Sequence, residues 1–485
     1  MAPNQPSLQR TAFWGVIWSA VQSFSVQAVS FIIGLQLARL LSPDDYGLLG
    51  MLGIFTALAA SFVDCGMGKA LVQKQHCTDA DYSTVFYFGL SVAVVMYTLL
   101  FISAPLIADF YGRPELVPLT RAVSIPLLIS PFGSIPSTIL YKELKVKKSS
   151  YVSIASTILS GLVGVCSAYM GCGVWALVYM GVSSSVFRLI LLWIVCPWLP
   201  RLVFSWQSFK SLFGFGSRLL ATGITGSVFD NLSPLLIGLL YTGNVLGYYT
   251  RALNYVSLPA HTATGVLTGI AFPLLCKFQH DDELLAEKYR LMLRLNAFVI
   301  FPLLIGLAAL AEPCVIVLIT EKWLPCVPLL QILCFSLMWY PIHAINLNLL
   351  LVKGQSTRYL YLEIARKAVF LVILLVTVPI SVTAMCCGSV VCSFICLFIN
   401  TYYTGKILRM GLGAQMMDIL PSLLLSLAMG GMVWSLITFV PMCQILQLAV
   451  GVPAGIIFYI GLAFILRRPE LTTACQLIRN NLRKS

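Results

Sequence analysis

Five charged side chains stand out because they fall in or beside long apolar runs: Arg39, Asp64, Arg218, Asp230 and Arg251. Ionisable groups inside a membrane are costly, so each is a functional candidate by default. A guanidinium presents a planar fork of donors that matches phosphate oxygens, which makes the arginines candidates for binding an anionic group. In a helix starting near 211, Arg218 lies about 12 Å in by helical rise, too deep for easy surface placement. Arg39 and Arg251 lie near the ends of their apolar runs, where interfacial anchoring explains them at least as well as anion binding. Asp64 and Asp230 have the chemistry to titrate or bind a cation, and equally to neutralise an internal arginine. Amides and an imidazole accompany them. Gln22, with Gln27 and Gln36, precedes Arg39; Asn231 follows Asp230; Asn254 and His261 follow Arg251 at spacings of three and seven. Arg251, Asn254 and His261 therefore fit one helical stripe, as Trp18 and Gln22 do at a spacing of four.

The elements that must position these residues are membrane spans. Hydrophobic residues make up 59% of the 485-residue chain and charged residues 10%, against roughly 25% charged in a soluble domain. Apolar runs bounded by turn or charge signals predict helices near 12–40, 46–73, 82–108, 116–140, 150–170, 174–197, 211–240, 246–276, 290–311, 325–352, 358–379, 384–405, 418–438 and 444–466. The reading is an all-α polytopic membrane protein with about 14 transmembrane helices. The N-terminal stretch MAPNQPSLQR lacks the pattern of a cleaved signal peptide, so the first span is expected to be retained.

Basic residues fall in alternate loops. One set holds Lys69 and Lys74, the Lys142–Lys148 cluster, Arg201 and Lys210, Lys277 and Lys288, Lys353 and Arg358, and Lys406 and Arg409, followed by the tail with Arg479, Arg483 and Lys484. The positive-inside bias places this set, and both termini, in the cytoplasm. The net charge of +13 is thereby explained without nucleic acid. The basic, amphipathic stretch Arg201 to Gly216 is expected to lie along the inner membrane surface before the seventh span. The fifteen cysteines form no CxxC pair and no metal-spaced cluster, and read as small buried hydrophobes. Glu363, three and four residues before Arg366 and Lys367, reads as half of a local salt bridge. His343, Asn346 and Asn348 read as inter-helix hydrogen bonding after the Pro341 break.

The chain repeats itself. At a shift of 200, Leu40 matches Leu240, Asp44 faces Asn244, Gly47 matches Gly247, and Phe13 and Leu58 match Phe213 and Leu258. At a shift of 210, Val117-Pro118-Leu119 matches Val327-Pro328-Leu329, and Pro131, Ile135 and Tyr151 match Pro341, Ile345 and Tyr361. Six spans separate the copies, so they run in the same direction, as parallel repeats do. The expected organisation is an N-terminal lobe at 1–200 with helices 1–6 and a C-terminal lobe at 201–410 with helices 7–12. The basic amphipathic segment 201–212 precedes the second lobe, and a final helix pair with a basic cytoplasmic tail occupies 411–485. In "SPDD", Pro43 is expected to end the first helix and the aspartates to cap the next, while Gly47 and Gly247 permit close packing.

The phrases LARLLSPDDYGLLGM, FVDCGMGKALVQ, LFGFGSRLL and DNLSPLLIGLLYTGNVLGYYTRALNYVSLP resemble Wzx-type polysaccharide exporters of the MOP (MATE-like) superfamily, in the branch of colanic-acid and teichuronic-acid exporters. The resemblance covers nearly the whole chain and rests on packing and turn motifs. It implies a flippase of the bacterial inner membrane that moves an undecaprenyl-diphosphate-linked oligosaccharide to the periplasmic leaflet by alternating access, for O-antigen, capsule or exopolysaccharide assembly. It also implies a cavity lined by spans 1, 2, 7 and 8, the spans that carry the candidates named above, and membrane lipids and polysaccharide polymerase or assembly proteins as partners. A multidrug/cation antiporter of the same superfamily is the alternative, disfavoured by the arginines. No GxSxG, HExxH or Walker A motif is present, so no enzyme, cofactor or direct use of ATP is expected. An H+ or Na+ gradient, the membrane potential or removal of product is then expected as the driving force.

Overall fold

The computed structural model describes residues 8–472, so the expected polar N-terminus and the tail from 473 lie outside the described residues. Every long element is an α-helix, and there is no strand among the described residues. The helices are α1 (Leu8–Leu40), α2 (Pro43–Asp64), α3 (Met67–Gln73), α4 (Asp79–Tyr111), α5 (Leu116–Val123), α6 (Ile125–Lys142), α7 (Val146–Tyr169), α8 (Trp175–Val195), α9 (Trp206–Leu240) and α10 (Gly243–Lys277). They continue with α11 (Asp282–Ala309), α12 (Ala311–Ile319), α13 (Cys326–Leu337), α14 (Tyr340–Val352), α15 (Ser356–Thr377), α16 (Val382–Leu408), α17 (Leu412–Phe439) and α18 (Gln444–Ile465). Taken as passages, they follow the fourteen apolar runs. Among the described residues, 12 helical passages are long and apolar enough to cross a membrane. α15 is not among them, because Arg358, Glu363, Arg366 and Lys367 interrupt it.

Three passages are broken where the sequence reading ran them straight through, and a fourth gains a short helix beyond its expected end. Cys65 and Gly66 both adopt left-handed backbone, φ 45° and 63°, and divide α2 from α3. Ser124 precedes Pro126 and divides α5 from α6. Leu310 separates α11 from α12, and Met338 and Trp339 precede Pro341 between α13 and α14. Proline removes a backbone donor and clashes with the preceding turn, which accounts for the breaks at Pro126 and Pro341.

The helices group into two compact units, one up to Gly247 and one from Tyr248 onward. In the first, α7 is sandwiched between α1 and α8, and α2 lies along α9. Glycine makes both approaches of α7 close. A Cβ on Gly161 would overlap Ile33 of α1, and one on Gly164 would stand 2.9 Å from Met180 of α8. In the second unit, α11 packs along α17, and α16 packs against α13, α14 and α15. Trp323, Tyr289 and Phe301 are fully buried there. Asp418 of α17, also buried, receives Arg290 Nη2 at 2.7 Å and Nε at 2.8 Å, and Arg294 Nε at 2.9 Å.

α9 runs unbroken for 35 residues, about 52 Å at 1.5 Å per residue. From Trp206 onward, the stretch expected to lie along the membrane surface is instead the first turns of this helix. Ser205 caps it by accepting from Ser208 N, and Phe209 and Phe213 stack on each other while meeting Phe88 of α4. Upstream, Ser83 and Thr84 of α4 accept the backbone N–H groups of Arg201 and Ser205, and Arg201 pairs with Asp79 at 2.8 Å. These contacts tie one side of the segment to α4, while Leu202, Phe204 and Trp206 stay exposed.

Candidate functional site

The turn between α1 and α2 is built by capping. Ser42 Oγ accepts from Asp45 N at 3.3 Å, while Asp45 Oδ2 accepts from Ser42 N at 2.8 Å, and Pro43 fills the first helical position. Asp44 faces away from the cap and receives Arg113, from the α4–α5 turn, at 2.6 Å and 3.3 Å. The Asp44 hydrogen bond holds the Arg113 guanidinium above its ordinary pKa, so it stays charged. Both partners are about 30% exposed, which limits the pair to about 1 kcal/mol, and its effect is chiefly to position the elbow.

Against this elbow sits its counterpart between α9 and α10. A Cβ on Gly47 would overlap the Gly243 carbonyl, and one on Gly247 would overlap that of Pro43. Only glycine permits backbones to approach this closely. The close packing continues along the α2–α9 seam. Asn231 Oδ1 lies 3.0 Å from where a Gly53 Cβ would be, Ser61 and Ser227 share a hydrogen bond of 2.8 Å, and Gly66 meets Leu219. At the far end, a Cβ on Gly216 would stand 2.8 Å from the Cys65 carbonyl. The seam thus ends at the left-handed break, with Asp64 just before it on α2 and Arg218 just before Leu219 on α9. Arg218, Asp64 and Asp230 are all exposed, and among the described residues no ion pair joins any two of them.

The other candidates occupy different settings. Gln22 is committed to α7: its Nε2 donates to Ser153 Oγ at 3.1 Å, and its Oε1 accepts from Ser150 at 3.0 Å. Trp18, one turn earlier, lies 5.4 Å from the Tyr151 ring, with Lys147 over the indole. Arg39 is exposed at the end of α1. Asn231 donates to its own helix at Ser227 O, 2.9 Å away. In the second unit, Arg251 is 8% exposed and lies over Tyr255 and Trp323 at 5.4 and 5.8 Å. Its cation is thus packed against aromatic faces. Asn254 and His261 are exposed, and the His261 ring meets Tyr340 edge-on at 4.4 Å. The structure therefore brings Asp64, Arg218 and Asn231 to one seam. It places Gln22 elsewhere in the same unit, and Arg251, Asn254 and His261 along α10.

Sequence reasoning underused one further group. Glu363 accepts from Arg366 at 2.9 Å, as their spacing suggested, but the pair also lines a cavity of about 360 Å³ with His261, Tyr340, Asn348 and Tyr359. Their convergence required the folding together of α10, α14 and α15, which no local spacing signals. His343 borders the cavity as a wall, with Nε2 3.1 Å from Ser393 Oγ and Nδ1 3.1 Å from Asn400 Nδ2. Asn346, the next polar residue on α14, bonds to Thr404 and Gln415. Both are the inter-helix hydrogen bonds expected after Pro341.

The described residues form an all-helical bundle of many membrane-length passages. The family model described as "Polysaccharide biosynthesis protein" matches residues 36–328, and the chain belongs to that family. It is 28% identical over 481 residues to the teichuronic acid biosynthesis protein TuaB of Bacillus subtilis, covering 98% of this chain and 99% of that one. It is 26% identical over 334 residues to the lipopolysaccharide biosynthesis protein WzxC of Escherichia coli, covering 68% of this chain and 67% of that one. In fold it matches the lipid II flippase MurJ in an inward closed conformation, with a TM-score of 0.76 at 13% identity over 93% of this chain and all of that one. The resemblance to Wzx-type polysaccharide exporters read from the sequence agrees with this family and with a relative named WzxC.

Proposed function

We propose that this protein translocates an undecaprenyl-diphosphate-linked oligosaccharide from the cytoplasmic to the periplasmic leaflet of the bacterial inner membrane by alternating access. The observation that carries the proposal is the α2–α9 seam. It is closed by glycine and serine from the two elbows to the Cys65–Gly66 break, and it ends beside Arg218. Small side chains bury little apolar area, at about 25 cal/mol per Å², so such a seam parts at low cost while remaining well packed when shut. Arg218 supplies the phosphate-matching donor fork at that end, and the lipid tail never needs to leave the bilayer. TuaB and WzxC, named for teichuronic acid and lipopolysaccharide biosynthesis, support a glycan cargo, and MurJ, named a lipid II flippase, supports a lipid-linked one. The exposed Arg39 is proposed to receive the diphosphate, Asn254 to contact the glycan, and Asp64 and Asp230 to carry the coupling ion, while Arg251, packed against aromatic rings, is left out of the diphosphate path.

The test is a deletion strain complemented with Arg218→Ala or Arg218→Lys. Lipid-linked repeat units accumulate facing the cytoplasm in the deletion, wild type clears them, and Arg218→Ala does not. Normal surface glycan in the deletion strain would sink the proposal.

A further inference from the structure

The cavity of the second unit has no part in the seam, yet its lining is unusual for a helix bundle. Glu363 and Arg366 stand paired at one wall, 27% and 23% exposed, so both reach the cavity. Their charges cancel, which makes the site a poor one for a diphosphate and a good one for an uncharged polar ligand. Arg366 Nε is buried and has no hydrogen-bond partner among the described residues. A buried N–H of this kind is costly unless something supplies an acceptor. Asn348, half-buried on α14, makes no hydrogen bond to another described residue and adds two donors and an acceptor. Tyr340 and Tyr359 contribute aromatic faces and hydroxyls. His343, tied at both ring nitrogens, serves as a fixed wall.

Planar carboxylate, guanidinium and amide groups beside aromatic rings suit one ligand chemistry well. Adjacent hydroxyls of a sugar ring can pair with both atoms of such planar groups, and the ring's C–H face can lie on an aromatic face. At about 360 Å³ the cavity also falls within the roughly 300–1,000 Å³ of small-molecule sites. We infer that the cavity between α10, α14 and α15 binds an uncharged sugar of the transported glycan through Glu363, Arg366 and Asn348, and so selects which glycan is carried. This inference rests on the flippase reading and adds the subsite that reads the cargo.

The probe is the oligosaccharide released by mild acid from the lipid extract of cells lacking the gene. Its binding to the full-length protein in lipid nanodiscs is measured by calorimetry, with inorganic diphosphate in parallel. Asn348→Ala and Tyr359→Phe are the principal variants, since neither removes a charge, and Arg366→Lys is a third. Each is expected to weaken glycan binding about tenfold, the scale of one or two lost ligand hydrogen bonds. Diphosphate binding stays at the wild-type level in all three and falls in Arg218→Ala. Unchanged glycan binding in the three variants, or no glycan binding by the wild type, overturns the sugar subsite while leaving clearance of lipid-linked units by the wild-type gene intact. An extract that yields no oligosaccharide overturns the flippase reading and the subsite with it.

Discussion

The same stretch of the repeat is solved in opposite ways in the two units. At the 210-residue shift, Tyr151 of α7 corresponds to Tyr361 of α15, but Ser153, Ser156 and Thr157 correspond to Glu363, Arg366 and Lys367. On the preceding helices, Gly133 corresponds to His343 and Thr138 to Asn348. In the first unit this region is filled: Ser156 is 3% exposed, and Gly161 and Gly164 draw α1 and α8 against α7. In the second unit those glycines become Leu371 and Leu374, and the region opens into a cavity with charged walls. A duplicated scaffold thus keeps one copy as a packed strut, which leaves the other free to carry polar groups.

The comparison breaks most sharply if the two regions are exchanged. Ser156→Arg would place a cation in a packed, buried interface, with an expected loss of several kcal/mol, about 4 or more. The reverse change, Arg366→Ser, leaves Glu363 beside a cavity that can hydrate it and should cost about 1–2 kcal/mol. Thermal unfolding of the purified variants measures both, and equal losses would remove the distinction between strut and cavity. Next in size is the charge clamp that holds the second unit together. Asp418→Ala leaves Arg290 and Arg294 without their buried acceptor. Because both arginines are partly exposed, the expected loss is about 2–3 kcal/mol rather than the full figure for a buried pair. The equivalent test in the first unit, Asp44→Ala, should cost at most about 1 kcal/mol.

Smaller effects sharpen the contrast. Gln22→Ala removes two hydrogen bonds to α7 and should destabilise the first unit by about 1–2 kcal/mol. Asn348→Ala, at the cavity of the second unit, should change stability by less than about 0.5 kcal/mol, since it breaks no bond to another described residue. If Asn348→Ala unfolds the protein as readily as Gln22→Ala, the amide is structural and the cavity is not a binding site.

Much of this was legible before folding. The apolar runs located the fourteen passages, and Ser42, Pro43 and Gly47 announced the elbow because capping and close approach are local properties of few residues. The Glu363–Arg366 pair followed from helical spacing alone. Other features depended on contacts far apart in the chain. Asp418 meets Arg290 across 128 positions, and Gly47 meets Gly243 across the length of the repeat. Close packing at Gly47 was expected, but that its partner is the Gly243 backbone is signalled only by the repeat that pairs the two elbows. The run expected to lie on the membrane surface also has partners remote in the chain: Phe88, Ser83 and Thr84 of α4 meet it from more than a hundred positions away. Gln22 looked like a ligand for cargo because its two partners, Ser150 and Ser153, lie on a different helix.

The central claim is translocation of a lipid-linked glycan with Arg218 at the diphosphate. Purified protein reconstituted into vesicles with the natural polyprenyl-diphosphate oligosaccharide tests it directly, by following how much glycan becomes accessible to periodate outside the vesicle. Wild-type protein should expose glycan initially sheltered in the inner leaflet, and Arg218→Ala should hold exposure near the protein-free rate. A wild-type protein no faster than empty vesicles, or an Arg218→Ala variant as fast as wild type, would contradict the account.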